Sequence, residues 1–316
     1  MKNKLILFIL LAGAIIGGSL LAIYKINYDK TAKNVINLDK LYPLPSIVKS
    51  PALTYPRKQL NPRNPLNPQK TFKLAIASMM SPVANINAYE PFAKYLRLAL
   101  HMPVKIIQKR TYLAVNNLLI NNKIDLAFIC TGAYVYGGLK NRVKIIAVPV
   151  INGKKTYRAY IIAHKPSKIK FVKDLKGGVF AFTEPLSNTG YEYPMRFFKN
   201  NGINPEIYFK RVMFTYNHTD SIKAVAAGIA DGASVDSIVY FYTYNKYKSV
   251  RLHTKIILKS PLFPIPPIVM SDGADKRLRD EVKKILLDMS KNPKGKLILK
   301  KLGIDGFAVP DLNRYK

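Results

Sequence analysis

The chain has 316 residues, of which 48% are hydrophobic, so it can bury a substantial core and disorder of the whole chain is excluded. Lys and Arg number 51 against 18 Asp and Glu, which gives a formal net charge of +33. Such a charge attracts anions of every kind and does not by itself identify one. The basic residues are scattered, without a zinc spacing, an RNA-binding aromatic motif or a basic reading helix, so no specific nucleic-acid partner is predicted.

The N-terminal segment indicates export to a membrane. Residues 5–23, LILFILLAGAIIGGSLLAI, are an uncharged apolar run behind a short basic leader, long enough to cross a bilayer as a helix. Residues 1–25 are therefore predicted to be a signal anchor or a signal peptide, and the lack of a clear cleavage pattern favours the anchor. This predicts a periplasmic or extracytoplasmic protein held at the cytoplasmic membrane. Residues 26–71 are rich in Pro and predict a stiff linker.

A first α/β cycle begins at Phe72. Apolar runs with strand character alternate with segments of helical period. This order predicts a parallel sheet with right-handed crossovers. The predicted elements are strands 72–78, 103–108, 124–130, 143–150 and 158–164, and helices 89–100 and 112–120.

A second cycle of the same kind follows. Its predicted elements are strand 178–183, a helix ending at 200–202, strand 209–214, helix 220–227, strand 233–237, strand 253–260 and a last amphipathic helix, 275–290. Two cycles joined by strands predict two α/β lobes. We assign residues 72–160 with 253–316 to lobe 1 and residues 161–252 to lobe 2. In open parallel sheets, ligands collect beyond the carboxyl ends of the strands, so a ligand cleft is expected between the lobes.

A polar loop follows the strand at 178–183. Ser187, Asn188, Thr189 and Gly190 lie between this strand and a helix, where free backbone amides and the helix dipole favour an anion. The hydroxyls add neutral donors, and Gly190 permits close approach of the backbone. Ser, Thr and Asn are also the usual helix N-cap residues. From these residues alone, an anion cradle and an ordinary turn both stay open.

Other strand ends carry polar residues in equivalent places. Thr131 and Tyr134 follow strand 124–130, His218 follows strand 209–214, and Asp236 ends strand 233–237. A histidine there can donate a proton to an oxyanion or stay neutral as a hydrogen-bond partner. Each of these residues also has an ordinary structural interpretation, as a cap, a core residue or a turn residue.

Five separated motifs occur in the order YEPFAKYL, IDLAFICTGAYV, FAFTEPLSNTGY, FTYNHTDSIKAVAAGIADGASVDS and KSPLFPIPPIVM. Together they resemble the phosphate/phosphite/phosphonate-type substrate-binding proteins of ABC importers, from Phe72 to the last helix. The resemblance implies a type II periplasmic binding protein fold, with two α/β lobes around a ligand cleft, here preceded by the N-terminal hydrophobic helix. It implies capture of a small oxyanion for an ABC transporter permease, with no enzymatic activity, no cofactor and no metal.

The resemblance also implies which residues bind the ligand. They are Ser187, Asn188, Thr189, Gly190, Tyr191, His218, Tyr134, Thr131, Asp236 and Tyr89. Departures from the family pattern are Asn188, where Thr or Ser is common, and Tyr191, where His is common. Ile238 and the Ile-Pro-Pro turn at 265–267 stand where members that take aminoalkylphosphonates carry acidic groups, so an amine-bearing ligand is disfavoured.

Cys130, the single cysteine, leaves two interpretations open. At the end of an apolar strand it is usually a small buried hydrophobe. The family also includes oxyanion sensors with a cysteine near this loop, and a thiolate suits trivalent arsenic, so the alternative function is an arsenite or oxyanion receptor for a sensor kinase. Cys130, His218 and Asp236 can also be drawn as a nucleophilic triad, but triads are recognised by geometry, and no enzyme is predicted.

Overall fold

The structure is a computed structural model that describes residues 70–315. The predicted anchor at 1–25 and almost all of the predicted linker at 26–71 lie outside the described residues. All described residues belong to one compact unit. Every helix within residues 70–315 is too short or too polar to span a bilayer.

The described chain alternates strands with helices. The strands are β1 Phe72–Ile76, β2 Val104–Gln108, β3 Leu126–Phe128, β4 Val143–Val150, β5 Thr156–Tyr157, β6 Ala159–His164, β7 Val179–Phe182, β8 Arg211–Phe214, β9 Gly232–Asp236, β10 Thr254–Lys259, β11 Phe263–Pro264, β12 Ile268–Ser271 and β13 Gly306–Ala308. The helices are α1 Pro82–Leu100, α2 Tyr112–Ile120, α3 Thr131–Val135, α4 Tyr193–Asn200, α5 Pro205–Tyr208, α6 His218–Ala226, α7 Ser237–Lys246, α8 Lys248–His253, α9 Lys276–Asp288 and α10 Pro293–Leu302. Short 3₁₀ turns lie at Val172–Leu175, Met289–Lys291 and Leu312–Tyr315, and a π turn at Asn188–Glu192.

The first sheet has six strands in the order β13-β4-β12-β3-β1-β2. β1 pairs in parallel with β2 and β3, whereas β12 and β13 run antiparallel to their neighbours. Because side chains alternate across a strand, Leu74 and Ile76 of β1 face a core shared with α1, α9 and α10, while Ala75 packs with Val115 and Leu119 of α2. We call this sheet and its helices the first lobe.

The second sheet has five strands in the order β10-β6-β9-β7-β8. β7 is parallel to β8 and β9, while β6 is antiparallel to β9 and β10 is antiparallel to β6. We call this sheet and its helices the second lobe. β5 and β11 form a separate two-stranded pair along the two crossings of the chain between the lobes.

Every predicted strand and helix exists, and most lie within a few residues of the predicted bounds, but the helix predicted at 89–100 begins at Pro82. The sequence did not predict β5, β12, α3, α5, α7 or α8. Two further features differ. The sequence pattern assigns residues 253–260 to lobe 1. In the structure these residues include β10, which pairs with β6 in the second sheet, so the chain returns to the first sheet only after β10. The exact lobe limits stay a prediction. The prediction that helix 275–290 completes the chain is wrong, because Asn292 caps a further helix with Pro293 at its first position, and β13 then closes the sheet edge.

Aromatic side chains fill the core of the second lobe beneath β7. Phe180 is fully buried and stacks on Phe209, with ring centroids 4.8 Å apart. The edges of its ring also meet Phe182 and Phe198. Such contacts stabilise a core beyond the burial of area alone. The strand that leads into the polar loop is therefore anchored by packing.

Replacing Phe180 by Ala is expected to lower the free energy of unfolding by about 3–5 kcal/mol, because it removes a ring and leaves a cavity. The matched control is Phe171→Ala, since Phe171 is 60% exposed. That change is expected to stay within about 0.5 kcal/mol. Urea denaturation of the three proteins measures both. Equal losses in the two variants would contradict the packing described for β7.

Candidate functional site

The polar loop after β7 is tightly closed on itself. Ser187 caps the π turn, and its Oγ accepts a hydrogen bond from the Gly190 amide at 3.0 Å. Ser187 and Thr189 are fully buried. The Thr189 carbonyl accepts a hydrogen bond of 2.6 Å from Ser234 on β9. The cap predicted from the sequence is therefore present, and it fixes the loop at the carboxyl ends of β7 and β9.

Gly190 is required here by space. Its φ is not in the left-handed region, but a Cβ at this position would overlap the side chain of Thr183. The Gly190 carbonyl in turn accepts from the Thr183 amide at 3.3 Å. The glycine thus lets the loop fold back onto the end of β7. The approach shown here is to Thr183, and the approach of Gly190 to an anion stays a prediction.

His218 is the first residue of α6 and lies beside Ser187. Its Nδ1 accepts the main-chain amide of Asp236 at 3.0 Å, and its Nε2 lies 3.4 Å from Ser187 Oγ. Burial lowers the pKa of His218 to about 3, so the ring is neutral at physiological pH. Because Nδ1 is an acceptor, the neutral ring carries its proton on Nε2. His218 therefore presents an N–H donor next to the loop.

Asp236 ends β9 and caps α7. Its Oδ1 accepts from the amides of Ile238 at 2.6 Å and Val239 at 3.3 Å. Burial raises the pKa of this carboxyl to about 7, against the lowering effect of the two amides. The carboxylate is bound to α7, and only the main-chain amide of Asp236 reaches the imidazole of His218. The Asp236 side chain therefore does not orient the His218 ring as the acid of a nucleophilic triad would.

The second lobe meets the β5–β11 pair at Asn188. The Asn188 side chain donates to the phenol oxygen of Tyr157 at 3.3 Å. Thr131, the first residue of α3, donates its hydroxyl to the Pro264 carbonyl at 2.9 Å. Tyr157 and Thr131 are both buried. The structure thus brings the predicted residues Asn188 and Thr131 together around Tyr157, which the sequence did not single out.

Cys130 is buried beside this group. Burial raises the pKa of its thiol to about 11, against the lowering effect of the Asn188 and Gly132 amides. Its hydrophobic neighbours include Ala77, Tyr112 and Ala133. A thiol that resists ionisation is a poor ligand for a soft ion, because the thiolate is the form that binds. This environment agrees with the interpretation of Cys130 as a small buried hydrophobe.

Three predicted tyrosines lie in packed surroundings. Tyr134 packs edge-on against Tyr315, with ring centroids 6.0 Å apart, and Tyr191 packs against Phe182 at 5.3 Å. These ring contacts do not place Tyr134 or Tyr191 beside the hydroxyls of Ser187 and Thr189. Tyr89 belongs to the aromatic core, 5.0 Å from the ring of Phe128, and also lines a cavity beside Asp236. Binding roles for these three residues stay predictions.

Several buried hydroxyls at the site have no hydrogen-bond partner within residues 70–315. They belong to Tyr112, Thr183, Thr189 and Thr219. A buried polar group without a partner is costly, so such a group calls for an explanation. Of the four, the sequence singled out only Thr189 as a ligand residue. Tyr112 and Thr219 each lie at the start of a helix that follows a strand. This placement is the feature of the sequence from which they could have been predicted as site residues.

The donors assigned to this site are neutral. They are buried hydroxyls, the carboxamide of Asn188 and the neutral imidazole of His218, and none of the donor side chains assigned above belongs to Lys or Arg. In the described part of the chain, no group of three or more His, Cys, Asp or Glu is arranged to hold a metal ion. Buried neutral donors suit an oxyanion, which accepts several hydrogen bonds at once.

The burial of His218 predicts a pH dependence of stability. Its folded pKa of about 3 lies below its ordinary value of 6.5, so as pH falls below 6.5 the unfolded chain gains a proton first. This residue's contribution to the free energy of unfolding is therefore lost as pH falls from 6.5 towards 3. Between these limits the wild type is expected to lose more stability than His218→Gln.

Chemical denaturation of both proteins across this pH interval measures the difference. Asp236 acts in the opposite direction, because its raised pKa makes its contribution disappear as pH rises from 3.8 to about 7. Asp236 is present in both proteins, so its effect cancels in the comparison. Parallel pH profiles for wild type and variant would contradict a buried neutral His218.

Comparison with known families identifies the class of protein. The model of the family described as "ABC transporter, phosphonate, periplasmic substrate-binding protein" matches residues 74–315. The chain therefore belongs to this family, and the resemblance drawn from the five motifs is confirmed. Family membership implies an extracytoplasmic location and supports a role in substrate binding, without catalysis.

Individual relatives are distant in sequence. The chain is 25% identical over 252 residues to the phosphonates-binding periplasmic protein of Escherichia coli, and the match covers 77% of this chain and 73% of that protein. It is 26% identical over 208 residues to the phosphate-import protein PhnD of Mycolicibacterium smegmatis, covering 62% of this chain and 64% of that one.

Solved structures share the fold. A binding-protein component of an ABC phosphonate transporter from Pseudomonas aeruginosa superposes with a TM-score of 0.74 at 24% identity, covering 78% of this chain and 83% of that one. PhnD1 from Prochlorococcus marinus in complex with methylphosphonate gives 0.72 at 20% identity, covering 79% and 96%. The predicted α/β periplasmic binding protein architecture is therefore confirmed for the described residues.

Proposed function

We propose that this protein captures a small phosphorus oxyanion, namely phosphite, a phosphonate or phosphate, outside the cytoplasm and delivers it to an ABC importer. The observation that carries the proposal is the set of buried hydroxyls without partners around Ser187 and His218. A bound oxyanion would supply acceptors for these donors. Family membership supports the same class of ligand. The partner is the permease of the importer, and residues 5–23 are proposed to hold the protein at the membrane.

The proposed ligand contacts come from both lobes. Ser187, Thr189 and the Nε2–H of His218 donate from the second lobe, and Tyr112 donates from the first. Thr219 adds a hydroxyl at the start of α6. Such binding needs only donors placed in advance and closure of the lobes, with no acid, base or nucleophile.

An adjoining cavity supports a ligand with a small organic substituent. The cavity has a volume of about 90 Å³ and includes Asp236 in its wall. Its lining is mostly apolar and includes Met79, Met80, Tyr89, Phe128, Ile238, Val239 and Pro266. Ile238 and the Ile-Pro-Pro turn at 265–267, to which Pro266 belongs, stand where the family resemblance leads one to expect acidic groups for an amine. We therefore propose that an uncharged alkyl substituent on phosphorus is accepted in preference to an aminoalkyl one.

A thermal-shift panel tests the proposed function on the purified chain. Phosphite, methylphosphonate and phosphate are compared with sulfate and arsenite. A ligand at a hundred times its dissociation constant adds about 2.7 kcal/mol to the free energy of unfolding, so at least one phosphorus oxyanion is expected to raise Tm clearly. If none of the three raises Tm, the proposed function is overturned.

Two threonine variants locate the binding site in the same assay. Thr219→Val removes a buried hydroxyl that has no partner, so the ligand-induced shift is expected to fall while the unliganded Tm is retained. The matched control is Thr243→Val, because the Thr243 hydroxyl donates to the Val239 carbonyl at 2.6 Å. It is expected to lower the unliganded Tm and to keep the ligand-induced shift.

Calorimetry with two ligands of similar size tests the substituent. Ethylphosphonate is expected to bind about tenfold or more tightly than 2-aminoethylphosphonate, because an ammonium group loses its hydration in an apolar cavity. Asp236, the carboxyl in this wall, has its pKa raised to about 7 by burial and is a weak partner for an amine. Tighter binding of the amine would contradict this preference.

A further inference from the structure

Glu184 is a buried carboxylate that makes none of the proposed contacts to the ligand. It is 2% exposed and lies between β7 and the polar loop. Its Oε2 accepts the Leu186 amide of its own loop at 2.7 Å, and its Oε1 accepts the Tyr112 amide of the first lobe at 2.9 Å. Burial raises the pKa of this carboxyl, against the lowering effect of the Leu186, Tyr112 and Leu113 amides. One side chain of the second lobe thus binds main-chain donors of both lobes.

The first-lobe donors lie at the start of α2, a nine-residue helix. The side chain of its N-cap, Thr111, accepts from the Ala114 amide, and the Thr111 carbonyl accepts from the Val115 amide at 3.4 Å. The Tyr112 amide would otherwise lack an acceptor within the helix, and Glu184 supplies one. A negative charge at this place also suits the helix dipole.

Glu184 is joined to the anion loop through its main chain as well. Its carbonyl accepts a hydrogen bond of 2.8 Å from the Ser187 amide. On the first-lobe side, the residue that it holds is Tyr112, whose buried hydroxyl has no partner in the described chain. The lobes also approach so closely here that a Cβ on Gly132 would overlap the backbone of Leu186 and Asn188.

Another main-chain bond between the lobes runs from the amide of buried His218 to the Met79 carbonyl at 3.0 Å. Two side-chain contacts between the lobes lie closer to solvent. The Arg110 guanidinium lies 4.5 Å from the centre of the Tyr216 ring, and Arg196 donates to the Tyr136 hydroxyl at 2.7 Å. The bond from Arg196 is exposed. Exposed contacts of charged side chains contribute little, because water competes with them. A buried carboxylate that accepts main-chain amides contributes more.

We propose that Glu184 is a positioning residue that couples closure of the two lobes to the anion loop. Its bond to Tyr112 forms only when α2 meets the loop, so it favours the closed state by the free energy of that bond. The same bond fixes the residue that carries the Tyr112 hydroxyl. This inference rests on the proposed function, because it names a regulator of the same site.

Glu184→Ala tests the proposal with methylphosphonate and phosphite as ligands. The dissociation constant is expected to rise about tenfold or more, mainly through faster dissociation, because the closed state loses a buried charge-assisted bond. Small-angle scattering is expected to show a smaller ligand-induced decrease in the radius of gyration than for the wild type. Compaction on binding is a readout that a merely structural residue would leave unchanged.

The matched control is Asp174→Ala. The Asp174 carboxylate accepts the amides of Lys170 and Phe171, both at 2.9 Å, entirely within the second lobe. This variant also removes bonds from main-chain amides to a carboxylate, here exposed ones, without touching the first lobe. It is expected to lower Tm slightly while keeping the wild-type dissociation rate and compaction.

Glu184→Gln covers the case in which the alanine variant fails to fold. It keeps the shape but replaces one acceptor oxygen by a donor, so an intermediate increase in the dissociation rate is expected. Wild-type dissociation rate and compaction in the folded variants would overturn the role of Glu184. That result is distinct from failure of the proposed function, in which the wild type itself binds neither methylphosphonate nor phosphite.

Discussion

The hydrogen bond from the Asp236 amide to Nδ1 of His218 links the end of β9 to the start of α6, at 3.0 Å in a buried environment. It fixes the tautomer, because a ring that accepts at Nδ1 and is neutral must carry its proton on Nε2. The donor is thereby directed at Ser187. Meanwhile the carboxylate of Asp236 stays on the amides of α7. This main-chain bond thus decides which nitrogen of His218 is the donor. Because it is made by the amide and not by the carboxylate of Asp236, the arrangement differs from a nucleophilic triad.

The contrast between the surface and the site has a physical reason. The chain carries a formal charge of +33, yet the donors around Ser187 and His218 are neutral. A buried Lys or Arg would lose hydration and would attract any anion, whereas neutral donors in fixed positions discriminate by geometry. The basic surface can raise the local concentration of anions, and the buried donors then select among them. In the proposed function, charge and specificity are therefore supplied by different parts of the molecule.

In the proposed binding mode, both lobes contribute donors to the ligand. The loop of the second lobe brings Ser187 and Thr189, while the first lobe brings Tyr112 on α2. Glu184 connects the two through bonds to the main chain of both. Asn188 and Tyr157 add a contact at the strands that join the lobes. A ligand held by donors from both sides can bias the lobes towards closure, because each donor contributes only when the lobes are together.

The sequence by itself determined the elements and the loop. Period and apolar runs located every strand from β1 to β10 except β5, and five of the ten helices in the described chain. Residues 187–190 stand out in the sequence because hydroxyls, an amide and glycine at a helix start have local causes. Only the tertiary structure decided that β10 belongs to the second sheet and that Tyr134 and Tyr191 pack in cores. It alone brought Tyr112, Tyr157 and Glu184 to the site. These outcomes depend on pairing and contacts between residues far apart in the chain, which local patterns do not encode.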